Sequence, residues 1–344
     1  MKHMSRKSNT AIIVLNWNGA DDTLACVTSL LNQHPSVPDI IIVDNNSQDD
    51  SVVRIQNFIA NHASEAIRLI ANPVNSGFSG GINVGFRVAL KESYSFIGTL
   101  NPDATADISW VASLLGELET HPDTGIATGI MMRTNKKTLD TTGELFSIWG
   151  LPGPRGRDQP IDNAPTQPEY IFGSTGGGFI ARNGLLRKIG LFDERFFMYF
   201  EDVDLSFRTQ LAGYRVRYTP RAIAYHKVSE STNKVPGLAI YNTFKNLPML
   251  ITKNVPFRLL PIVAPRFAVL YCLILGSAIR KGAGLPALRG LVHSFINIPY
   301  SLAERHRIQT SKKVPDTYID SIMLHDIPPE QEKLRRFRKL FTGR

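Results

Sequence analysis

Between Ala11 and Leu100, short apolar runs alternate with amphipathic ones, and this alternation narrows the fold more than any other feature. Ala11 to Leu15, Ile40 to Val43, Ile67 to Ala71 and Tyr94 to Leu100 read as buried strands. Between them, Asp21 and Asp22 cap a helix carrying Leu24, Val27 and Leu31 on one face, and Ser51 to Ala60 and Gly81 to Lys91 read as two more helices. Strands alternating with helices predict an α/β fold, with a mostly parallel sheet covered by helices on both faces. In such sheets ligands bind beyond the carboxyl ends of the strands.

Those ends carry an unusual chemistry. The first strand ends in Asn16-Trp17-Asn18-Gly19, the second in Asp44-Asn45-Asn46-Ser47, and the fourth in Asn101-Pro102-Asp103. The third leads into Asn72 to Gly85, a run rich in Asn, Ser and Gly. Any one is an ordinary turn; four on one sheet edge predict a binding site. Asp44 is placed to accept a hydrogen bond from a base or ribose. Asn75, Gly77, Gly80, Gly81 and Asn83 form a segment whose backbone can approach a nucleotide closely. The Gly-x-Gly-x-x-Gly dinucleotide fingerprint is missing after the first strand, where Gly19 stands alone, and this argues against a nicotinamide enzyme. Asp103 suits Mg²⁺ or Mn²⁺, which take oxygen ligands and leave coordination positions for phosphate. His226, at the end of a later extended segment, reads as structural in isolation and as a metal ligand once Asp103 and a phosphate site are considered.

Arg133 to Pro168 is rich in Gly, Pro and polar residues and predicts a hairpin and a long surface loop. Tyr170 to Arg182 is strand-like but interrupted by Gly176, Gly177 and Gly178, a pattern of either a bulge or close backbone approach to a ligand. Phe192 to Phe200 is aromatic and apolar, and it runs directly into Glu201, Asp202 and Asp204 at the start of a helix reaching Ala212. Two readings stand. The acids favour the positive helix N-terminus, or one is a carboxylate held at a partly desolvated site for proton transfer. Tyr214 to Tyr218 and Ala222 to Tyr225 are extended.

The net charge of +9 predicts an anionic partner. The basic residues gather in the C-terminal third without the aromatic interleaving of a nucleic-acid groove, so no nucleic-acid partner is expected. Leu247 to Ile279 is largely apolar, yet its charge-free piece, Phe267 to Ile279, is short of the roughly 20 residues a bilayer crossing requires. It suits an interfacial, re-entrant or core helix. Lys333 to Phe341 sets Leu334, Phe337 and Phe341 among five cations, the pattern of a basic helix lying on anionic membrane. No signal peptide is read at the start, and Cys26 and Cys272 read as buried thiols in a reducing compartment. Residues 1–10 read as a disordered start or tag remnant, 11–235 as the catalytic domain, and 236–344 as a helical, membrane-interfacial region.

Leu15 to Gly19, Val43 to Ser47, Asn75 to Gly85, Leu100 to Asp103, and Phe192 to Leu205 with His226 occur in the order found in family 2 glycosyltransferases of the GT-A fold. The chain resembles their bacterial rhamnosyltransferase-like branch over roughly residues 11 to 230. The resemblance implies an inverting, metal-dependent enzyme using a nucleoside diphosphate sugar. Asp44 would recognise the base; Leu15, Asn16, Asn18 and Asn101 would line the nucleotide pocket; Asn75, Gly77, Gly80, Gly81 and Asn83 would meet base and ribose. Asp103 matches the last acid of the family's Asp-x-Asp motif, and Asn101 replaces the first, leaving one strong ligand from that strand; His226 would be the second ligand. Asp202 matches the catalytic base, with Glu201 supporting it, and Gly177 and Gly178 would let backbone approach the donor sugar or acceptor. Asp204 has no chemical role beyond a cap. dTDP-rhamnose is the favoured donor, with UDP sugars an alternative. The acceptor is expected to be a lipid-linked glycan at the cytoplasmic face of the inner membrane. Trp17, Trp110 and Trp149 all precede Asp202, so the Gln-x-x-Arg-Trp motif of processive members is missing and transfer of one or a few sugars is expected. A non-catalytic nucleotide-sugar binder and a basic nucleic-acid binder are the alternatives.

Overall fold

Strand β1 (Thr10–Asn16) is buried at every position and divides its side chains by parity. Ala11, Ile13 and Leu15 enter one core, and Ile12 and Val14 the opposite one. A strand apolar on both sides belongs inside a sheet covered on both faces. The computed structural model describes residues 8–62, 65–228, 235–329, 331, 334 and 335. β1 is followed by α1 (Ala20–Leu31), β2 (Asp39–Asp44), α2 (Ser51–His62), β3 (Ile67–Ala71), α3 (Gly77–Lys91) and β4 (Phe96–Leu100). These four strands are parallel in the order β3-β2-β1-β4. The chain winds one way through β2 and β3 and returns to the far side of β1 for β4. The crevice at such a reversal is where α/β sheets take ligands.

Two sequence expectations shift here. α1 starts at Ala20 with Gly19 at the N-cap and no side-chain cap, so Asp21 and Asp22 lie in its first turn. Its buried stripe is Thr23, Cys26, Val27 and Leu30, while Leu24 and Leu31 are half-buried at its margin. α3 begins at Gly77, earlier than the apolar periodicity alone suggests, because its first turns carry small residues packed closely on the sheet.

The sheet continues past β4 with strands from later in the chain. They are β5 (Ala104–Ala106), β6 (Thr124–Arg133), β7 (Leu139–Thr141), β10 (Glu169–Ile171), β11 (Gly178–Arg182) and β12 (Arg215–His226), with a small β8 (Glu144–Phe146) and β9 (Pro152–Pro154) hairpin apart. β11 lies antiparallel between β4 and β6, and β6 pairs in parallel with β12. α4 (Trp110–Thr120) covers one face; α5 (Asn183–Ile189) and α6 (Glu201–Leu211) belong to the other. Of the hairpin and surface loop expected over 133–168, the hairpin is present as β8 and β9, and the remainder is largely folded, with Leu139, Phe146 and Leu151 buried. Phe146 meets the Phe207 ring of α6 at 4.7 Å, and this contact draws the segment onto the body.

Five helices close the described chain: α7 (Leu238–Asn254), α8 (Leu260–Arg280), α9 (Gly284–Ile296), α10 (Ile298–Thr310) and α11 (Asp316–Ile322). A third core joins Phe196, Val203 and Phe207 to Met249 and Leu250 of α7, Ile308 of α10 and Ile319 of α11. α7 is thus packed on α6. Cys272 is exposed on α8 instead of buried as expected, whereas Cys26 is buried. Apart from Leu334 and Arg335, the expected basic helix over 333–341 lies outside the described residues.

Candidate active site

A cleft of about 650 Å³ opens at the carboxyl ends of β1 and β4. Leu15, Asn75, Gly77, Asn101, Asp103, Gly177, Glu201, Asp202 and His226, all singled out from the sequence, line it. Trp17, Phe78, Phe197 and Tyr199 give it aromatic walls.

The other sequence candidates stand behind this lining. Asp44 is 2% exposed and accepts from Asn16 Nδ2 at 2.7 Å, from Ser47 Oγ at 2.6 Å and from the Ser47 amide at 3.0 Å. Asn16 is fully buried and accepts from Thr23 Oγ1 at 2.7 Å, so this pair fixes the β1 and β2 ends to one another. Asn18 has φ of 50° and lines a smaller neighbouring depression with Asp21 and Asp22. Gly80 and Gly81 are inside α3, where a β-carbon would meet Ser76 and Leu15 respectively. Asn83 donates to the Phe192 carbonyl at 2.8 Å and Glu194 Oε1 at 2.9 Å, and accepts from the Phe192 amide at 3.1 Å, tying α3 to the aromatic segment. Gly178 is in β11 against Met131.

Residues not singled out complete the cleft. Asn45 donates to Asn75 Oδ1 and to the Gly77 carbonyl, each at 3.0 Å, and accepts from the Ser76 amide at 3.1 Å, shaping the loop before α3. It lies within the Asp44 to Ser47 motif, the one signal in the sequence that points to it. Asp140 and Arg157 also line the cleft, from a segment whose sequence reads as loop.

The Phe192 to Leu205 segment is held in an unusual backbone. Phe197, Tyr199 and Phe200 have φ of 64°, 70° and 70°, and Phe200 is the left-handed N-cap of α6. Left-handed geometry costs a non-glycine residue about 1–2 kcal/mol, so the conformation needs external support. Asn246 of α7 supplies it, with Nδ2 reaching the carbonyls of Phe196, Met198 and Tyr199 at 3.0, 2.8 and 2.9 Å. Lys245 Nζ donates to Phe196 O at 3.2 Å, and the Ser79 amide donates to Phe197 O at 3.0 Å. Gly77, at φ +71°, leaves room here: a β-carbon would lie 2.4 Å from Phe197 O.

The three acids diverge in consequence. No side chain caps α6. Asp204 is fully buried, 2.8 Å from Lys253 Nζ and 2.9 Å from Arg208 Nε, and accepts from Asn254 Nδ2 at 2.8 Å. Burial opposes its charge, but Lys253 and Arg208 outweigh that and hold its pKa at about 2. The cap assigned to Asp204 is replaced by a buried ion-pair cluster, because α7 brings Lys253 to it. Asp202 accepts from the Gly176 amide at 2.7 Å and the Val203 amide at 2.8 Å. Burial raises its pKa above the usual aspartate value, against the pull of those hydrogen bonds. Glu201 is raised well above the ordinary range by burial and by the adjacent Asp202 charge, and its Oε2 is buried without a partner.

Across the cleft, His226 Nε2 is 3.1 Å from Asp103 Oδ1, and its Nδ1 is 2.8 Å from Asp140 Oδ2. Burial opposes the imidazolium, yet the two carboxylates overcome it and push the His226 pKa up to about 9. Arg157 in turn lies 3.1 Å from Asp140 Oδ1. A carboxylate behind the second nitrogen of a histidine is the arrangement that orients a metal-ligating imidazole. Beside the pair, Asn101 Oδ1 is buried with no partner. Asp103 and His226 therefore fit a divalent ion that keeps most of its coordination for phosphate and water. Among the described residues no set of three or more His, Cys, Asp or Glu side chains gathers to enclose a metal, so the protein's share is small.

The fold and cleft define a class: an α/β protein with a metal-compatible acid–histidine pair facing a half-buried carboxylate at the sheet's switch point. The family model of glycosyl transferase family 2 matches residues 11–190, and the chain belongs to that family. Poly-beta-1,6-N-acetyl-D-glucosamine synthase of Staphylococcus epidermidis is 26% identical over 61% of this chain and 47% of its own length. The low-salt glycan biosynthesis hexosyltransferase Agl10 of Haloferax volcanii is 23% identical over 69% of this chain and 73% of that one. The N-acetylglucosaminyl-diphospho-decaprenol L-rhamnosyltransferase of Mycobacterium tuberculosis is 25% identical over 46% of this chain and 60% of its own. The chain spans about half the length of the staphylococcal relative it matches. Among solved structures, GalNAc-T7 with UDP, GalNAc and Mn²⁺ aligns at TM-score 0.58 and 13% identity, over 72% of this chain and 48% of that one. S. aureus TarS 1-349 aligns at TM-score 0.54 and 14% identity over 92% of each chain. The fold is GT-A, as the sequence motifs implied.

Proposed function

We propose that this chain transfers one sugar, or a few, from a nucleoside diphosphate donor to an acceptor hydroxyl, by a single inverting displacement with Asp202 as general base. The observation that carries this reading is the placement of Asp202 in the same cleft as Asp103 and His226. Inversion needs a carboxylate to take the acceptor proton as the hydroxyl oxygen attacks the anomeric carbon. Asp202 is suited to this, because the Gly176 and Val203 amides fix its two oxygens and burial raises its affinity for the proton. Glu201 stands beside it, its own proton affinity raised by burial and by the Asp202 charge.

Asp103 and His226 would hold Mg²⁺ or Mn²⁺, and such an ion, when bound, offsets charge on the departing diphosphate. Asp140 keeps the His226 ring turned toward Asp103. Asn75 and Gly77 shape the loop expected to meet base and ribose, with Asn45 behind it. dTDP-rhamnose is the favoured donor, supported by the mycobacterial rhamnosyltransferase similarity, and a UDP sugar is the alternative. A lipid-linked glycan is the acceptor that this similarity supports, met in our reading at the cytoplasmic face of the inner membrane.

Replacing Asp202 with Asn tests the base. Donor binding by calorimetry should persist, while transfer and donor hydrolysis fall about 10²–10⁴-fold. Undiminished turnover in that variant contradicts the assignment.

A further inference from the structure

Helix α9 is built inside out for a protein surrounded by water. It buries Ala287, Gly290 and Ser294 and exposes Leu285, Leu288, Val292, Phe295 and Ile296. Gly290 explains the inner side, because a β-carbon there would lie 2.3 Å from the Tyr241 carbonyl, so α9 lies tightly on α7 through small residues. Val292 is 56% and Phe295 61% exposed. α8 repeats the pattern. Val263, Leu270 and Tyr271 face inward, with the Tyr271 hydroxyl donating to Phe244 O at 2.7 Å, while Ile262, Val269, Cys272 and Ile279 face outward. An 18-residue window within Phe257–Arg280 has mean hydropathy 2.0 and is 22% buried. Exposed apolar surface on this scale marks an interaction site.

The charges around it select the partner. From residue 231 to residue 303 there is no Asp or Glu, against eight Lys or Arg. Lys245 and Lys253 are buried in the α6–α7 contact, whereas Arg258, Arg280, Lys281 and Arg289 are exposed around the apolar faces. A groove of about 600 Å³ runs between the start of α7 and α9, lined by Tyr241, Leu285, Arg289 and His293 among others. Val235 and Leu238 line both this groove and the catalytic cleft, so the two spaces meet.

We propose that the outer faces of α8 and α9 seat this protein in the headgroup–acyl boundary of an anionic bilayer, with Arg289 and His293 in the α7–α9 groove receiving a lipid phosphate beside the catalytic cleft. Apolar residues on one face ringed by Arg and Lys are the composition of helices that lie in that boundary. One arginine and a histidine ring on an apolar groove without acids match an amphiphile with a phosphate head. The membrane seat stands on the surface alone; the link to catalysis rests on the glycosyl-transfer reading above.

The full chain, labelled with an environment-sensitive fluorophore at the exposed Cys272, is mixed with vesicles of phosphatidylcholine alone or with added phosphatidylglycerol. Cys26 is buried and should not react. Binding to the anionic vesicles with a blue shift of the label is expected. Val292→Glu with Phe295→Glu should weaken binding about tenfold or more, and Arg289→Gln should weaken it about fivefold, on anionic vesicles only. Melting temperatures near that of the parent show that these exposed positions leave the fold intact. Unchanged vesicle binding by the double variant overturns the proposal. So does a stable dimer that binds no vesicles, which would make a second copy the occupant. Hydrolysis of a nucleotide sugar by the same variants in detergent reports separately on the glycosyl-transfer reading.

Discussion

Glu201, Asp202 and Asp204 share one helical turn, yet their surroundings move their proton affinities in opposite directions. Glu201 and Asp202 are raised by burial at the cleft, whereas Asp204 is lowered to about 2 by Lys253 and Arg208 despite burial. The sign for stability follows. An aspartate at 3.8 in the unfolded chain and about 2 in the fold contributes stabilisation fully present above pH 3.8 and lost as the pH falls toward 2. Urea denaturation across that window should show a steeper loss in the parent than in Asp204→Asn. At neutral pH the variant should be less stable by about 1–3 kcal/mol, since Arg208 loses its charged partner while Lys253 keeps its ion pair with Asp193. Parallel slopes in the two proteins would contradict the ion-pair account. Sequence spacing identified the acid cluster but not this division, because Lys253 is 49 positions beyond Asp204 within an apolar run (253 − 204).

At the scale of elements, the first four strands and the helices between them were legible because each is a separate amphipathic or apolar period. Their polar ends were legible for the same reason, standing where the period stops. α7 was not. Leu247, Met249 and Leu250 made it read as apolar, while Lys245, Asn246, Lys253 and Asn254 form a buried polar set facing the Phe192 to Leu205 segment. Three left-handed residues before α6 cost a few kcal/mol together, and each neutral hydrogen bond returns about 0.5–1.5 kcal/mol. No single contact suffices, so Asn246, which reaches three carbonyls, matters most. Asn246→Ala should lower turnover with little change in donor affinity, as the Asp202 carboxylate loses its fixed position. A comparison of kcat with donor binding by calorimetry checks this. An equal loss in donor affinity would indicate general unfolding of the cleft instead.

For the whole molecule, the α7–α11 region supplies part of the support of the Phe192 to Leu205 segment. A chain ending at residue 235 would expose Phe196, Val203 and Phe207 and leave Asp204 with Arg208 alone. That shortened chain should lack a cooperative thermal transition and a native near-ultraviolet dichroism spectrum. A sharp transition close to that of the full protein would show that residues 11–235 fold alone. The same region carries the inside-out faces of α8 and α9, so the element that steadies the cleft also sets its relation to a membrane in the reading proposed above.

The sequence by itself determined the α/β class and the strand ends that make the cleft, and its resemblance to family 2 glycosyltransferases pointed to Asp103 and His226. The class and the strand ends are local properties, fixed by periodicity and by residue types within a few positions of each other. Only the tertiary structure decided that Lys253 stands beside Asp204, that Asp140 backs His226, that Asn16 closes over Asp44, and which face of α9 points outward. Those outcomes depend on contacts between residues tens of positions apart, and charge and burial at such contacts are set by packing, which no local pattern encodes.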